Sequence, residues 1–186
     1  MNKVWVGKVM RIFIAVRPSA EVVNEIHKYI ESLSASISDV KWVEKENLHV
    51  TLRFLGEVSV ADFGTIKDKI SQSMRDIKPF NVSFGPSGAF PNIDKAKTLW
   101  IKAKDSGQLE SIFEIIEKDV KTICGVSDKS FNPHLTLGRA RMAPVKFFAD
   151  GPSSFGESII DEVLIVESKL TPKGPIYTDL AVIKLG

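Results

Sequence analysis

The stretch HVTLRFLG, residues 49 to 56, decides how the rest of this 186-residue chain is interpreted. Its alternation of polar and apolar residues predicts a β-strand with one face in the core and one face open. The side chains expected in the core are Val50, Leu52 and Phe54. The side chains expected on the open face are His49, Thr51, Arg53 and Leu55. Because a strand needs neither an imidazole nor a hydroxyl for its stability, we expect the open face to line a functional cleft.

A second stretch, HLTLGR at residues 134 to 139, repeats this pattern in the second half of the chain. Here His134 and Thr136 share one face, so the two motifs account for two of the three histidines. A single His-x-Thr pair on a strand is usually a cross-strand hydrogen-bonded pair. Two copies in related halves instead favour a shared site, because a pseudo-twofold axis would bring both histidines and both threonines to one cleft.

Hydrophobic periodicity predicts about as much strand as helix in the whole chain. The predicted strands cover residues 11–16, 40–43, 48–58, 80–85, 98–104, 134–140, 161–170 and 175–185. Apolar residues recur at helical spacing over residues 22–33, 63–77 and 109–123. We also expect a Gly/Pro/Asn-rich loop at residues 86–92 and a short helix at residues 144–149.

These elements predict an α+β fold in which residues 1–186 form a single bilobal domain. Two related lobes would place their antiparallel sheets face to face around a central cleft, with the helices on the outside. No long linker or low-complexity tract separates the halves, so two independent domains are not expected.

Composition narrows the classes of function. A formal net charge of +2 is too small to indicate broad binding to nucleic acid. The longest early apolar run, residues 12–16, is far below the roughly 20 residues that cross a membrane, so we expect a cytoplasmic protein. A single cysteine, Cys124, excludes an internal disulfide. Neither motif histidine has a second ligand two or four residues on, so we expect no metal and no cofactor.

The twin motif suits acid–base chemistry at a small anion. Threonine hydroxyls can donate hydrogen bonds to phosphate oxygens, while one neutral imidazole accepts a proton and one imidazolium donates one. An unperturbed histidine pKa of about 6.5 makes both forms accessible near neutrality. An acid and a base on opposite sides favour in-line displacement at phosphorus.

Five stretches carry a resemblance to a known family: MRIFIAV (10–16), WVEKENLHVTLRFLGEV (42–58), GAFPN (88–92), NPHLTLGRAR (132–141) and VESKLTPKGPIYTDL (166–180). Together they resemble the RNA 2′,3′-cyclic phosphodiesterases, also called 2′-5′ RNA ligases, of the two-histidine (2H) phosphoesterase superfamily. The likeness begins at Met10, so we expect residues 1–9 to be a dispensable extension.

The resemblance implies hydrolysis of a terminal RNA 2′,3′-cyclic phosphate to a 2′-phosphate, with ATP-independent 2′-5′ joining of RNA ends in the same site. We expect a monomer, and the partner that the resemblance implies is RNA with a 2′,3′-cyclic phosphate end, tRNA halves being one candidate. By its motifs, His49 resembles the proton donor to the leaving 3′ oxygen and His134 the acceptor of a proton from water. Thr51 and Thr136 resemble the phosphate-binding threonines.

Further residues are candidates for substrate binding. Arg139 matches a basic residue that several family members aim at phosphate, and a bulge at Gly138 would turn it toward the cleft. Arg53 shares the face of His49, where it would either grip phosphate or form a salt bridge at the strand's end. The aromatic residues that could stack on a base are Trp42, Phe90, Trp100 and Tyr177.

Two other functions stay open on the sequence alone. One keeps the chemistry but changes the substrate to a small cyclic nucleotide or ADP-ribose cyclic phosphate. The other is a non-catalytic RNA-binding module in which the histidines only grip phosphate.

Overall fold

A computed structural model describes residues 9–127, 130–172 and 174–186 of the chain. Its helices are α1 (Ala20–Ser34), α2 (Val60–Met74) and α3 (Gln108–Cys124). Its strands are β1 (Val9–Val16), β2 (Val40–Trp42), β3 (Val50–Ser59), β4 (Phe80–Phe90), β5 (Thr98–Lys104), β6 (His134–Ala140), β7 (Glu157–Ile160), β8 (Glu162–Thr171) and β9 (Gly174–Lys184). None of the helices in the described ranges is long and apolar enough to cross a membrane.

The strands form one curled antiparallel sheet with the order β7-β4-β5-β6-β3-β1-β8-β9. The short strand β2 pairs with residues 138–140 of the second motif strand, β6, on the edge that β3 uses at Leu135. One lobe contains β1, β3, β8 and β9; the other contains β2, β4, β5, β6 and β7. Within the described residues, a single paired position, Val50 with Leu135, joins the lobes through β3 and β6. The two strands that carry the twin motif are therefore neighbours at the centre of the sheet.

Helices α1 and α2 begin where the sequence offers a serine cap, and all three helices bury their apolar stripes. The Ser19 hydroxyl accepts a hydrogen bond from the backbone N–H of Val22, and the Ser59 hydroxyl accepts one from the backbone N–H of Asp62. The largest fully buried side chains come mostly from strands and helices and include Phe13, Phe84, Ile26, Ile66, Ile70, Met74 and Leu99, and Phe147 adds one from a connecting segment. The α+β prediction is confirmed, and the helices cover one face of the sheet so that its other face is left for the cleft.

Three local predictions are wrong. Residues 86–90 continue β4 instead of forming a loop, because a register shift between Phe84 and Ser87 accommodates Pro86 without losing the pairing to β5. Residues 144–149 form no helix, because the backbone N–H and carbonyl of Val145 bond to Ala96. The short strand β7 (Glu157–Ile160) was not predicted.

The extension expected at residues 1–9 lies almost entirely outside the described residues. Its last member, Val9, pairs with Ser59 at the end of β1. The dispensability of residues 1–9 stays a prediction.

Candidate active site

The pairing of β3 with β6 brings the two motifs together. Val50 and Leu135 are paired and completely buried, so their side chains lie on the helix side of the sheet. Because side chains alternate along a strand, the residues on either side of this pair project to the opposite face. Those residues are His49, Thr51, His134 and Thr136. The antiparallel direction turns each histidine toward the threonine of the other motif, as a pseudo-twofold axis through the central pair requires.

Both histidine rings are held by the same main-chain device. His49 Nδ1 lies 2.6 Å from the carbonyl oxygen of Asn47, and His134 Nδ1 lies 2.6 Å from the carbonyl oxygen of Asn132. A carbonyl only accepts hydrogen bonds, so each Nδ1 carries the proton and each neutral ring has an unprotonated Nε2. In His49, Nε2 lies 3.0 Å from Thr51 Oγ1, whose hydroxyl can donate to it.

The surroundings favour neutral imidazoles in the free protein. The pKa of His49 is lowered to about 4, chiefly by burial and also by the charges of Arg17, His134 and Arg139, against the opposing effect of the Asn47 carbonyl. Burial also lowers the pKa of His134, and the Arg139 charge acts in the same direction. Both rings are consequently neutral in the free protein at neutral pH.

Aromatic rings enclose each histidine in a similar way. The ring of His49 lies 4.9 Å from that of Phe13 and 5.5 Å from that of Tyr177. The ring of His134 lies 5.2 Å from that of Phe90. The packing of these apolar rings explains why burial is the largest influence on the histidine pKa values. It also places Phe90 and Tyr177, two of the four aromatic residues that could stack on a base, beside the two motif histidines.

Arg139 reaches the cleft through a bulge. A register shift between Leu99 and Trp100 leaves Leu137 unpaired, which reverses the alternation of side chains before Arg139. Gly138 lies at this bend against β2, where a Cβ atom would come within 2.6 Å of Val40 Cγ1. Arg139 therefore lines the same cavity as the second motif, as the predicted bulge at Gly138 would require.

The first motif strand departs from strict alternation after Thr51. The Arg53 Nε lies 2.6 Å from a carboxylate oxygen of Glu117, so of its two predicted roles the structure has the salt bridge. The cause is a register shift between Ile14 and Ala15, which leaves Leu52 unpaired and sets Arg53 opposite the buried Ile14, so the prediction that Arg53 shares the face of His49 is wrong. The same shift reverses the two residues that follow. Phe54 is 53% exposed and Leu55 only 7% exposed, so the predicted positions of these two side chains are wrong.

Sequence reasoning missed the main-chain acceptors that orient the histidines. An asparagine stands two residues before each histidine, as Asn47 and Asn132, and this shared spacing was the available signal. It also missed Phe13, whose position on β1 faces the cleft because β1 pairs with β3. Within residues 9–127, 130–172 and 174–186, no group of three or more His, Cys, Asp or Glu side chains is placed to hold a metal ion.

Comparison with known proteins identifies the family. Residues 18–150 match the family model of the 2′-5′ RNA ligase superfamily. The chain is 37% identical to an RNA 2′,3′-cyclic phosphodiesterase of Archaeoglobus fulgidus over 93% of this chain and 99% of that protein. It is 31% identical to a protein of the same name from Methanocaldococcus jannaschii, over 90% of this chain and 96% of the relative.

Solved structures share the fold. The crystal structure of TT0787 of Thermus thermophilus has a TM-score of 0.84 and 29% identity, and the match covers 95% of this chain and 98% of that chain. E. coli LigT in its apo form has a TM-score of 0.77 at 20% identity, over 96% of this chain and 99% of LigT. By its two motifs, its fold and these matches, the chain belongs to the 2′-5′ RNA ligase superfamily.

Proposed function

We propose that the protein is an RNA 2′,3′-cyclic phosphodiesterase that opens the cyclic phosphate to a 2′-phosphate by acid–base catalysis between His49 and His134. The observation that carries this proposal is the pair of Nδ1–carbonyl hydrogen bonds, which leaves the Nε2 atom of each neutral ring without a proton on the open face of the sheet. The names of the relatives from Archaeoglobus fulgidus and Methanocaldococcus jannaschii support the choice of substrate.

In this mechanism the phosphate lies between the two motifs. The hydroxyls of Thr51 and Thr136 donate to its non-bridging oxygens, and the Arg139 guanidinium balances its charge. His134 removes a proton from the attacking water, while His49 protonates the leaving 3′ oxygen on the opposite side. A single side chain could not reach both oxygens of an in-line displacement, which is why two histidines are required.

The low pKa of His49 means that the bound substrate must also help to protonate this ring. At neutral pH a histidine with a pKa of about 4 is almost entirely neutral and cannot act as an acid. An anionic phosphate beside the ring favours the imidazolium form and raises this pKa. Substrate binding would thus charge the proton donor at the moment it is needed.

The same displacement accounts for RNA joining. A 5′-hydroxyl that replaces water attacks the cyclic phosphate, breaks the bond from phosphorus to the 3′ oxygen, and leaves a 2′-5′ bond. The cyclic phosphate already contains the activated bond, so no ATP is consumed. The description of the family model supports this second activity. We further propose that the substrates are RNA ends, tRNA halves among them, and that the enzyme is a monomer.

A direct test identifies the product. The purified protein is incubated with an RNA that ends in a 2′,3′-cyclic phosphate, and the new end is determined. We expect a 2′-phosphate, and we expect His49→Asn and His134→Asn to lower the rate by a factor of about 10² to 10⁴. Asparagine retains a donor for the main-chain carbonyl, so neither variant should lose the fold. RNA that is bound tightly but never opened would favour the non-catalytic RNA-binding module.

A sulfur substitution tests the direction of proton transfer. A 3′-sulfur leaves as a thiolate with little need for protonation, so His49→Asn should regain much of its lost rate on the 3′-thio substrate. His134→Asn should stay impaired because its water is not activated. Rescue of His134→Asn alone would show that the two roles are reversed. A comparison of cyclic mononucleotides with oligonucleotides separates RNA ends from small cyclic nucleotides as the substrate.

A further inference from the structure

A cavity of about 500 Å³ opens from the site beside the second motif. We call it the His134-side cavity; its lining includes Thr51, Phe54, Phe131, Asn132, His134 and Thr136. Three of these residues are motif residues, so the cavity is continuous with the proposed phosphate position. Hydroxyl and amide groups and aromatic rings share its wall, and this mixture suits a nucleoside better than a purely apolar ligand.

Phe54 is a large apolar side chain that is exposed in this cavity. Its side chain is 53% exposed, and its ring lies 5.5 Å from that of Phe13. Phe13 is itself buried and packs against His49, so it supports Phe54 from the side of the sheet. A ring that is fixed on one side and open on the other is a stacking platform for a base.

A second, smaller cavity of about 160 Å³ lies beside the first motif. We call it the His49-side cavity; its lining includes Trp42, Asn47, Pro175, Tyr177 and Arg139. Asn47 bonds to the ring of His49 and Tyr177 packs against it, so this cavity belongs to the proposed proton donor. Arg139 lines both cavities and marks the phosphate position between them.

We propose that the His134-side cavity is the acceptor subsite of RNA joining, where the base of the nucleoside that brings the 5′-hydroxyl stacks on Phe54. This inference rests on the proposed function and on its direction of proton transfer. In an in-line displacement the attacking oxygen lies opposite the leaving 3′ oxygen. The leaving oxygen belongs to the ribose of the cyclic phosphate, and this nucleoside occupies the His49-side cavity. The attacking hydroxyl therefore enters from the side of His134, where the larger cavity opens.

The atoms balance without a further reactant. The 5′ oxygen forms a bond to phosphorus, and its proton passes to His134 Nε2. The bond from phosphorus to the 3′ oxygen breaks, and the 3′ oxygen takes a proton from His49. The 2′ oxygen stays bonded to phosphorus throughout, so the product is a 2′-5′ phosphodiester with a free 3′-hydroxyl.

The test measures how joining depends on acceptor concentration. A labelled RNA with a 2′,3′-cyclic phosphate end is incubated with increasing amounts of a 5′-hydroxyl oligonucleotide, and joined and hydrolysed products are counted. We expect Phe54→Ala to raise the half-saturating acceptor concentration about tenfold, as loss of one base-stacking platform does. Phe54→Trp should restore it. Phe148→Ala is a matched control, because Phe148 is 60% exposed and lines neither cavity.

The outcomes separate this proposal from the function on which it rests. An unchanged acceptor dependence in Phe54→Ala would overturn the subsite. The proposal would also be overturned if Phe54→Ala lowered the rate of hydrolysis of a cyclic mononucleotide by the same factor of about ten. Phe54 would then serve the phosphate site or the fold. Hydrolysis without any joining by the wild-type protein would remove the acceptor subsite alone. Failure of both reactions would remove the proposed function itself.

Discussion

Acid should destabilise this protein through His49 in particular. Burial holds the pKa of His49 at about 4 in the folded state, whereas an unfolded chain has a histidine pKa near 6.5. As the pH falls below about 6.5, His49 binds a proton in the unfolded state but stays neutral in the folded state. The stability contributed by the neutral ring is therefore complete above this pH and is lost as the pH falls toward 4.

The size of the effect follows from the difference between the two pKa values. Each unit corresponds to about 1.4 kcal/mol, so a difference of about 2.5 units predicts a loss of about 3 kcal/mol in the free energy of unfolding. His49→Asn removes the titrating ring but retains a donor for the Asn47 carbonyl. The variant should lack this part of the loss and keep the part that comes from carboxylates and from His134.

Urea unfolding at pH 7 and at pH 4, followed by circular dichroism, measures both free energies. The difference between the wild-type protein and His49→Asn isolates the contribution of one ring. His27→Asn is the control, because the third histidine lies on the outer helix α1 with its side chain about 32% exposed. Saturating inorganic phosphate should reduce the acid-dependent loss, since an anion at the site raises the pKa of His49.

Parallel losses in the wild-type protein and His49→Asn would refute this reasoning. They would mean that water reaches the ring and that packing against Phe13 and Tyr177 does not exclude it. The charging of His49 by bound substrate would then be unnecessary, because the free protein would already hold an acid at neutral pH.

Three other predictions concern the frame of the site. Gly138→Ala should lower the free energy of unfolding by about 1–3 kcal/mol, because its Cβ would crowd Val40, and an unchanged urea midpoint would show that β2 can move aside. Arg53→Met should cost about 2 kcal/mol by leaving the Glu117 carboxylate, whose side chain is 19% exposed, without its cation. Adding Glu117→Gln should restore part of that loss, and additive effects in a double-mutant cycle would argue against the pair. Turnover should be unchanged in EDTA, because in the proposed mechanism two imidazoles supply both proton transfers.

The sequence predicted the site well where the determinants are local. Period-two alternation is a property of any strand, so the common face of His49 and Thr51, and that of His134 and Thr136, could be derived without knowledge of the fold. The repeated motif indicated that the two pairs meet. The glycine at position 138 was a local sign that alternation would fail there, and the register of β5 against β6 has the shift.

The errors arose where distant segments decide the outcome. Phe54 and Leu55 exchange faces because β1 imposes a bulge on β3, and nothing within β3 itself indicates it. The sequence left two roles open for Arg53, a phosphate contact or a salt bridge. The salt bridge forms because the fold brings Glu117, which is 64 residues away along the chain, next to Arg53. Pro86 argued against a strand, but a register shift lets β4 continue through it. Each error depends on a neighbour that only the tertiary structure identifies.

The main-chain bonds at Asn47 and Asn132 have a consequence for protein engineering. Every residue has a carbonyl, so the bond that places the proton on Nδ1 of each motif histidine depends on a two-residue backbone step and not on the side chains of Asn47 and Asn132. The two asparagines could thus be exchanged for other residues without changing which ring nitrogen carries the proton. A strand that begins with this step is a portable unit, and two such strands paired at one position would equip an unrelated antiparallel sheet with the same chemistry.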